Sequence, residues 1–378
     1  MTLRRFLFIA EGLLGDLLLL TPALRAVRAS VPGAHISVLI VERRGPAVDG
    51  SFLLGPLPAD ADTPLSSNPT TDRIYVLRRQ VLRTFRGLRR VRAESAVVRF
   101  LRREHFDVVV CTFPEDRFAL YAMASGAPVR VGQKDQPLAR LLTVTPRITK
   151  AQRGVREYYC DLVRALGIEV RSATTEYIVP GAAERWAEKT LKRVGVRAAE
   201  RVVLLHPGAT GDYKIWPPVR FAELARRIGR LRRVRLVICY GPLDFRVVEA
   251  LRSAMEGEPL VLDTAGSLSR LAALMKRSRL CITNDSGPRH LAVAVGAPSL
   301  AFFRKHHDKE WKVYDDTPSC ITISAAGRCS LCPEGACRDR IPGQEQFGSA
   351  CLRMISVETA FARVTAMLRR DSGRSSSR

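Results

Sequence analysis

The residues best suited to chemistry fall in three short segments, and the first lies close to the N-terminus. Residues 12–16 (GLLGD) directly follow an apolar run, Phe6–Ala10, that predicts a buried strand. Glycine lets the backbone turn tightly, and a carboxylate at the end of a strand can accept a proton from a substrate hydroxyl. An aspartate here can equally cap the helix that follows, so the spacing leaves both roles of Asp16 open.

The second segment, residues 206–218 (HPGATGDYKIWPP), lies between a predicted buried strand and an amphipathic helix. Its glycines, hydroxyl and lysine suit a phosphate group, because backbone amides and Thr210 donate hydrogen bonds while Lys214 supplies positive charge. The Gly-Lys-Ser/Thr run of a Walker A loop is absent. The same residues also fit an ordinary turn with Pro217 at the first helical position.

The third segment, residues 284–290 (NDSGPRH), again leads from a strand through a loop to a helix. The amides of Ser286 and Gly287 suit an anion when they open a helix, with the helix dipole behind them. Asp285 suits sugar hydroxyls, and His290 suits a phosphate oxygen. The alternative is that the aspartate or the serine simply caps the helix, with proline near its start.

Apolar, β-branched runs alternate with helical patterns along both halves of the chain, which predicts an α/β fold with parallel, doubly wound sheets. Ligands of such sheets bind at the carboxyl ends of strands, where the three segments lie. The predicted strands of the first half are 6–10, 36–41 and 107–113, with a loop at 47–71. Those of the second half are 202–206, 235–240, 259–262, 279–284 and 298–303.

We predict four parts along the chain. These are a first αβ domain (1–180), a second αβ domain (181–356), a C-terminal helix (357–370) and a disordered tail (371–378). Two αβ domains, an acidic group after the first strand and two anion-binding loops describe an enzyme with a cleft. One domain of such an enzyme holds a nucleotide-linked donor and the other holds an acceptor.

The composition restricts the class of protein further. The 378 residues are 46% hydrophobic and carry a net charge of +24, which favours anionic partners or merely reflects an arginine-rich genome. No run approaches the ~18–20 apolar residues that span a bilayer. Glu11 and Asp16 interrupt an N-terminal stretch that otherwise resembles a signal peptide. We therefore expect a cytoplasmic protein whose nine cysteines fit that compartment as thiols.

Taken together and in this order, the three segments resemble glycosyltransferase family 9, the lipopolysaccharide heptosyltransferases. The resemblance covers most of the chain and rests on three motifs: Gly15-Asp16 leading into Thr21-Pro22-Ala23-Leu24, His206-Pro207-Gly208-Ala209 with Lys214-Ile215-Trp216-Pro217, and Asn284-Asp285-Ser286-Gly287-Pro288-Arg289-His290-Leu291-Ala292. It implies a GT-B fold, in which two Rossmann-like doubly wound domains face each other across a cleft. In such a fold residues 1–180 form the acceptor-side domain, residues 181–356 form the nucleotide-sugar-binding domain, and the C-terminal helix (357–370) packs back on the first domain. The resemblance also implies inverting transfer of a sugar from a nucleotide sugar, typically ADP-L-glycero-D-manno-heptose.

The resemblance implies roles for individual residues by position. Asp16 is similar to the catalytic base that activates the acceptor hydroxyl, and Asp285 is expected to contact the heptose. The loops expected to hold the donor phosphates contain Gly208, Thr210, Lys214, Ser286, Gly287 and His290. Such enzymes usually stabilise the departing diphosphate with protein groups, so no cofactor is expected for catalysis. One departure is Phe245, beside Asp244, where many members carry a glutamate that contacts the nucleoside.

Residues 77–104 contain ten arginines and two glutamates, with apolar residues interleaved at helical spacing. A basic amphipathic helix suits anionic headgroups, and a phosphorylated lipid acceptor in the inner leaflet would explain it. We therefore expect Arg78, Arg79, Arg83 and Arg86 at the acceptor or the membrane. A solvated helix in an arginine-rich proteome is the alternative. Nucleic acid is not expected, because few aromatic residues accompany the arginines and no RNA- or DNA-binding signature occurs.

Four cysteines, Cys329, Cys332, Cys337 and Cys351, form a C-x2-C-x4-C-x13-C pattern. The pattern suits a structural zinc ion or iron–sulfur cluster, with free thiols and redox or disulfide chemistry as alternatives. The cysteines expected to be buried thiols are Cys111, Cys160, Cys239 and Cys281.

The sequence therefore predicts an inverting glycosyltransferase of lipopolysaccharide or related glycolipid assembly, peripheral on the inner face of the inner membrane. ADP-heptose is the favoured donor, and a phosphorylated lipid or lipopolysaccharide is the acceptor. The alternatives are a GT-B-like nucleotide-sugar epimerase and a non-catalytic protein that binds a nucleotide sugar or nucleic acid.

Overall fold

A computed structural model of the chain divides into two compact units, Met1–Thr175 and Glu176–Arg378. The structure describes residues 3–42, 54–58, 61–136, 138–255, 257–304, 311, 313–314, 317–325 and 347–369. Each unit is built on one six-stranded sheet, as the alternation of strand and helix patterns predicts. The boundary between the units precedes the predicted boundary at residue 180. Tyr177 already belongs to the second unit, because it forms hydrogen bonds with Ala294 and Ser269 there.

The described residues of the first unit form six strands and six α-helices. The strands are β1 (Arg5–Glu11), β2 (His35–Glu42), β3 (Leu54–Pro56), β4 (Arg73–Arg78), β5 (Val108–Cys111) and β6 (Val129–Val131). The helices are α1 (Leu14–Ser30), α2 (Arg79–Thr84), α3 (Gly87–Arg103), α4 (Asp116–Ala124), α5 (Lys150–Arg153) and α6 (Val155–Arg164). The strand order is β3-β4-β2-β1-β5-β6, and only β3 is antiparallel to its neighbour.

The second unit contains a fully parallel sheet. Its strands are β7 (Arg201–Leu205), β8 (Val234–Tyr240), β9 (Val261–Asp263), β10 (Leu280–Asn284), β11 (Ser299–Phe303) and β12 (Cys320–Ser324). Its described helices are α7 (Gly181–Arg193), α8 (Pro218–Gly229), α9 (Phe245–Ser253), α10 (Leu268–Lys276), α11 (Gly287–Ala294), α12 (Ala350–Arg353) and α13 (Val357–Arg369). The strand order is β12-β11-β10-β7-β8-β9. β10 and β11 are buried along their whole length, which explains their continuous apolar sequences.

The strand order fixes where a ligand can bind. The chain winds from β7 toward β9 on one side of the second sheet and from β10 toward β12 on the other. The carboxyl ends of β7 and β10 therefore flank the topological switch point, the usual ligand position in such sheets. Two of the three sequence segments follow these two strands. In the first sheet, β1 lies between β2 and β5 and has the corresponding position.

The Thr21-Pro22 pair lies in the middle of α1, which runs from Leu14 to Ser30. Proline has no N–H for the carbonyl of Leu18, and the Thr21 hydroxyl donates to that carbonyl instead, at 2.7 Å. The fold therefore satisfies the backbone group that the proline leaves without a partner.

The predicted single basic helix is three elements. Its first residues form β4, where Leu77 is fully buried in the sheet. Extended backbone at Phe85 and Arg86 separates α2 from α3, which begins at Gly87. The apolar residues of β4 fitted the helical spacing by coincidence. In a half-buried strand every second residue is apolar, and some of these positions coincide with those of a helical repeat.

The C-terminal helix α13 is part of the hydrophobic core of the second unit, whereas the sequence prediction placed it on the first. Its apolar stripe is Val357, Ala360, Val364, Met367 and Leu368, packed with side chains of α8 and the sheet. Two polar contacts support this packing: Arg201 Nη1 donates to the carbonyl of Leu368 at 3.0 Å, and Arg227 pairs with Glu358 at 2.9 Å.

Candidate active site

The carboxylate of Asp16 lies in the first turn of α1, after the carboxyl end of β1, and the residue is only 2% exposed. Leu13 occupies the N-cap position of this helix, so Asp16 does not. Asp16 Oδ1 accepts a hydrogen bond from the hydroxyl of Tyr159 at 2.9 Å. A buried carboxylate with one oxygen held by a phenol is an arrangement suited to accepting a proton on the other oxygen.

The phenol that holds Asp16 belongs to a cluster the sequence did not reveal. Burial raises the pKa of Tyr159 well above its usual value, and the carboxylates of Asp16 and Glu11 raise it further, so the hydroxyl remains a donor. Lys150 Nζ donates to the Tyr159 hydroxyl at 3.5 Å and lies 4.4 Å from the ring centroid of Phe113. These partners come from α5, α6 and the residues after β5, so no local spacing could have linked them to Asp16.

In the second unit, Gly208 lies in the loop after β7 against the carboxylate of Asp244. A Cβ built on Gly208 would lie 1.7 Å from Asp244 Oδ1, which excludes every other residue type. Asp244 Oδ2 accepts the N–H of Gly241 at 2.9 Å and lies 3.5 Å from His206 Nε2. Burial lowers the pKa of His206 in spite of this carboxylate. Gly208 thus admits a carboxylate from the connection between β8 and α9, a contact that the motif did not suggest.

Asn284 joins the two loops of the second unit. Its Oδ1 accepts the backbone N–H of Trp216 at 2.9 Å, and its Nδ2 donates to the carbonyl of Pro207 at 2.6 Å. Trp216 is fully buried and stacks on Phe302 with 4.2 Å between ring centroids. The loop that carries Lys214 is therefore fixed to β10 near both of its ends.

This anchoring brings Lys214 and Asp285 together. Lys214 Nζ lies 3.7 Å from Asp285 Oδ2, and the two side chains are 16% and 5% exposed. An ammonium group beside a buried carboxylate offers a donor for phosphate oxygens and an acceptor for hydroxyls. Thr210 lies exposed in the same loop, where its hydroxyl is accessible.

The N-terminus of α11 completes the loop region. Ser286 is the N-cap residue, but its side chain does not cap the helix, and its hydroxyl is directed to the carbonyl of Asn284 at 3.4 Å. Gly287 begins the helix and is followed by Pro288, which has no N–H. The serine side chain thus leaves the first-turn amides to another acceptor, and the helix dipole favours an anion there.

His290 is buried in α11, and its Nδ1 shares a hydrogen bond of 2.9 Å with the hydroxyl of Tyr314. Burial lowers the pKa of His290 to about 3, helped by the nearby charges of Arg289 and Lys214. The ring is therefore neutral and has a single N–H. It can donate to a phosphate from Nε2 when Tyr314 donates to Nδ1, so the predicted contact depends on a tyrosine that the motif does not contain.

The connection between β8 and α9 presents an aromatic ring to solvent. Phe245 is 61% exposed at the start of α9, and Leu243 is 90% exposed. Asp244, between them, is buried against Gly208. An exposed ring of this kind can stack on a base, whereas the neighbouring carboxylate is engaged in the fold.

The four arginines predicted at an acceptor or membrane fall into two pairs. Arg79 forms a two-point ion pair with Glu115, and Arg78 Nε lies 3.7 Å from a carboxylate oxygen at the end of β2. These guanidinium groups are largely covered and neutralised. Arg83 and Arg86 are exposed. Only the second pair therefore presents its charge to solvent as expected.

Of the cysteine pattern, Cys329, Cys332 and Cys337 lie outside the described residues. Cys351 is buried in α12 with its Sγ 3.2 Å from Ser349 Oγ. No metal-binding group of three or more His, Cys, Asp or Glu side chains occurs in the described part of the chain. The metal site remains a prediction.

The four thiols predicted to be buried are buried, and burial raises the pKa of each: Cys111, Cys160, Cys239 and Cys281.

Within the ranges that the structure describes, no helix has the length and apolar character needed to cross a bilayer.

Comparison with known proteins identifies relatives that share this architecture. A family model described as glycosyltransferase family 9 (heptosyltransferase) matches residues 95–338. Lipopolysaccharide heptosyltransferase 3 of Escherichia coli is 22% identical over 309 residues, which cover 80% of this chain and 84% of that protein. A glycosyl transferase family 9 structure from Veillonella parvula DSM 2008 superposes with a TM-score of 0.77 at 22% identity, over 97% of this chain and 98% of that one. The E. coli ADP-heptose lps heptosyltransferase II gives a TM-score of 0.70 at 18% identity, over 97% and 99%. The predicted GT-B fold is confirmed.

Proposed function

Because the chain belongs to glycosyltransferase family 9 and is a glycosyltransferase, we propose that it is an inverting heptosyltransferase. The donor is ADP-heptose, and the acceptor is a lipopolysaccharide core or a related glycolipid. One observation carries the proposal: Lys214 and Asp285 lie together beside the N-terminus of α11, at the switch point of the second sheet. This is the position and the chemistry that a sugar diphosphate needs.

The second unit holds the donor in this proposal. Lys214 and the amides of Ser286 and Gly287 bind the diphosphate, with Thr210 as a further donor. Asp285 accepts hydrogen bonds from heptose hydroxyls. As the bond between the anomeric carbon and the phosphate oxygen breaks, negative charge grows on the leaving diphosphate. Fixed donors stabilise that charge without reorganisation, which lowers the barrier.

The first unit supplies the base. The acceptor hydroxyl attacks the anomeric carbon from the face opposite the diphosphate, and its proton passes to Asp16, so ADP leaves and the anomeric configuration inverts. The Tyr159 hydroxyl holds one oxygen of Asp16 at 2.9 Å, which orients the other for the proton. Burial of Asp16 keeps water away from the carboxylate and strengthens its interaction with the substrate proton.

The identity of the donor is supported by the relatives and by one surface feature. A structural neighbour is an E. coli ADP-heptose heptosyltransferase. The exposed ring of Phe245 is suited to stack on a purine. With a phenylalanine where many members carry a glutamate, we expect base recognition to depend on stacking more than on hydrogen bonds to the nucleoside.

We further propose that the protein works on the inner face of the inner membrane and docks through α2 and the start of α3. Exposed apolar residues, Leu88 at 65% and Val91 at 60%, lie among arginines there. The exposed arginines of this surface are Arg83, Arg86, Arg89, Arg90 and Arg92. Interfacial helices typically combine two kinds of side chain. Apolar side chains insert into the membrane, and neighbouring cationic side chains pair with lipid headgroups.

Release of nucleotide with and without acceptor tests the proposal. The full-length protein is incubated with ADP-heptose, with or without a heptose-deficient lipopolysaccharide, and ADP and the sugar product are followed. A transferase releases ADP only when the acceptor is present and yields an inverted glycoside. An altered nucleotide sugar formed without acceptor would instead identify an epimerase, and no turnover with any donor would identify a binding protein.

A further inference from the structure

Arg304 is a buried cation that the proposed mechanism does not use. It directly follows β11, at the carboxyl edge of the second sheet, and is 6% exposed. Its guanidinium carbon lies 4.6 Å from the ring centroid of Tyr213. Across the ranges that the structure describes, Arg304 Nε has no hydrogen-bond partner, and no carboxylate forms an ion pair with the guanidinium.

A guanidinium in this state is costly to the fold. Taking a cation out of water without a carboxylate or a full set of hydrogen bonds destabilises the folded state. The cation–π contact with the ring of Tyr213 offsets only part of this cost. An apolar side chain would fill the same space at a lower cost in folding free energy. A buried guanidinium at this position is therefore best explained by an anion that binds to it.

The placement of Arg304 points to the donor site. Asn284 is paired in register with Phe302, so Arg304 lies two residues beyond that pair, beside the loop that opens α11. Tyr213 immediately precedes Lys214 in the other loop. A Cβ on Gly211 would lie 2.6 Å from a ring carbon of Tyr213, so the glycine lets this ring fold onto the loop.

The donor loops carry too little positive charge for a diphosphate, and Arg304 adds to that charge. Lys214 lies beside Asp285, so its positive charge is balanced, and His290 is neutral. The diphosphate of a nucleotide sugar carries about two negative charges, and the nucleoside diphosphate that leaves carries about three. One balanced lysine and the amides of a helix are weak compensation for these charges. Arg304 adds a cation that no described carboxylate balances.

We propose that Arg304 is a second cationic ligand of the donor's diphosphate, acting with Lys214. Tyr213 holds the guanidinium in place, and the diphosphate provides its missing hydrogen-bond acceptors. This inference rests on the proposed function for the identity of the donor. It adds a residue that stabilises the leaving group and that none of the three sequence motifs contains.

Calorimetric titration of the full-length protein with ADP, AMP and inorganic pyrophosphate tests the inference. Arg304→Gln is expected to weaken binding of ADP and pyrophosphate by about 10- to 100-fold, the range for a charge-assisted contact, and AMP less. Arg304→Lys should recover part of the loss. Thermal melting without ligand should show no loss of stability in Arg304→Gln, because the variant removes an unbalanced buried charge. Arg252→Gln, on an exposed arginine in the last turn of α9, is the matched control for loss of charge.

The outcomes separate this inference from the proposed function. Pyrophosphate binding that depends on Arg304 in a protein without heptosyltransferase activity would support the ligand role and overturn the function. Heptose transfer by the wild type, with ADP binding unchanged in Arg304→Gln, would overturn the ligand role alone. A wild type that binds neither ADP nor pyrophosphate, or an equal loss in Arg252→Gln, would also overturn it.

Discussion

The first unit holds one buried carboxylate through a phenol from a distant helix, whereas the second holds its polar groups on two loops joined by one asparagine. In the first unit, Tyr159 reaches Asp16 across 143 positions of sequence. In the second, Asn284 fixes the loop that carries Lys214 and directly precedes Asp285 in the chain. In the proposed mechanism the two units therefore do different chemistry: the first supplies a base that is held by a phenol, and the second supplies an anion site whose donors are fixed in space.

This difference has a physical reason. A general base must have the right pKa, which depends on burial and on a few specific partners. A phosphate site needs several donors aimed at one point, and a strand–loop–helix unit supplies them from contiguous residues. Variants in the first unit should therefore change rate and pH dependence, while variants in the second should change affinity.

The largest effect is expected from Asp16→Asn. The amide keeps the shape of the side chain but cannot take the proton, so turnover should fall by about 10²- to 10⁴-fold. The measurement is kcat from ADP release with saturating donor and acceptor. Glu11→Gln, which alters the other buried carboxylate near Tyr159, should cost less. A greater loss in Glu11→Gln would transfer the role of base to that residue.

The next effect concerns the membrane. Each arginine near an anionic surface contributes about 1 kcal/mol, so the double variant Arg83→Gln/Arg86→Gln should bind anionic vesicles about 30-fold more weakly. Flotation with phosphatidylglycerol vesicles measures this. Arg171→Gln removes an exposed arginine outside α2 and α3 and should change little. Wild-type binding that is equal for neutral and anionic vesicles would reject electrostatic docking.

A smaller effect is expected from Tyr159→Phe. Loss of the hydrogen bond from the Tyr159 hydroxyl removes a donor that favours the charged form of the Asp16 carboxylate, so this carboxylate should keep its proton to a higher pH. The acidic limb of the kcat/KM profile moves to higher pH accordingly.

Tyr158→Phe is the matched control for this shift. The hydroxyl of Tyr158 is buried, and it has no hydrogen-bond partner among the residues that the structure describes. Its removal should leave the acidic limb in place. An unchanged profile in Tyr159→Phe, or an equal shift in Tyr158→Phe, would deny Tyr159 its role in positioning the base.

The smallest effect on activity is expected from the cysteine pattern. If it holds a structural metal, the purified full-length protein contains zinc or iron, and Cys332→Ser loses the metal and melts at lower temperature with turnover unchanged per folded molecule. Elemental analysis measures the content, and Cys320→Ser, outside the pattern, should retain it. A wild-type protein that contains no metal, and whose thiols react freely with a thiol reagent, would show that the pattern is not a metal site.

The sequence predicted the architecture well because it is encoded locally. Parallel strands buried on both faces appear as apolar runs, and the motif after β7 contains its own anchor, Trp216. The element that failed was β4: its arginines and apolar residues fitted a helical pattern as well as a strand, and only pairing with β2 distinguishes them.

The partners of Asp16 and the position of α13 could not be predicted, for a different reason. The packing of α5 and α6 beside β1 and α1 brings together Tyr159, Lys150 and Glu11. The spacing of these residues in the sequence does not indicate that packing. Likewise, the apolar stripe of α13 shows that one face is buried but not which core buries it. Arg304 lies at the end of an ordinary buried strand, where composition gives no sign of an unbalanced charge.

Titration of ADP into Asp16→Asn and Lys214→Gln side by side tests the central claim most directly. If the first unit supplies the base and the second the donor site, Asp16→Asn binds ADP like the wild type. Lys214→Gln then binds it about 10- to 100-fold more weakly, as expected for loss of a charge-assisted contact. A large loss of ADP affinity in Asp16→Asn, or none in Lys214→Gln, would contradict this division of roles.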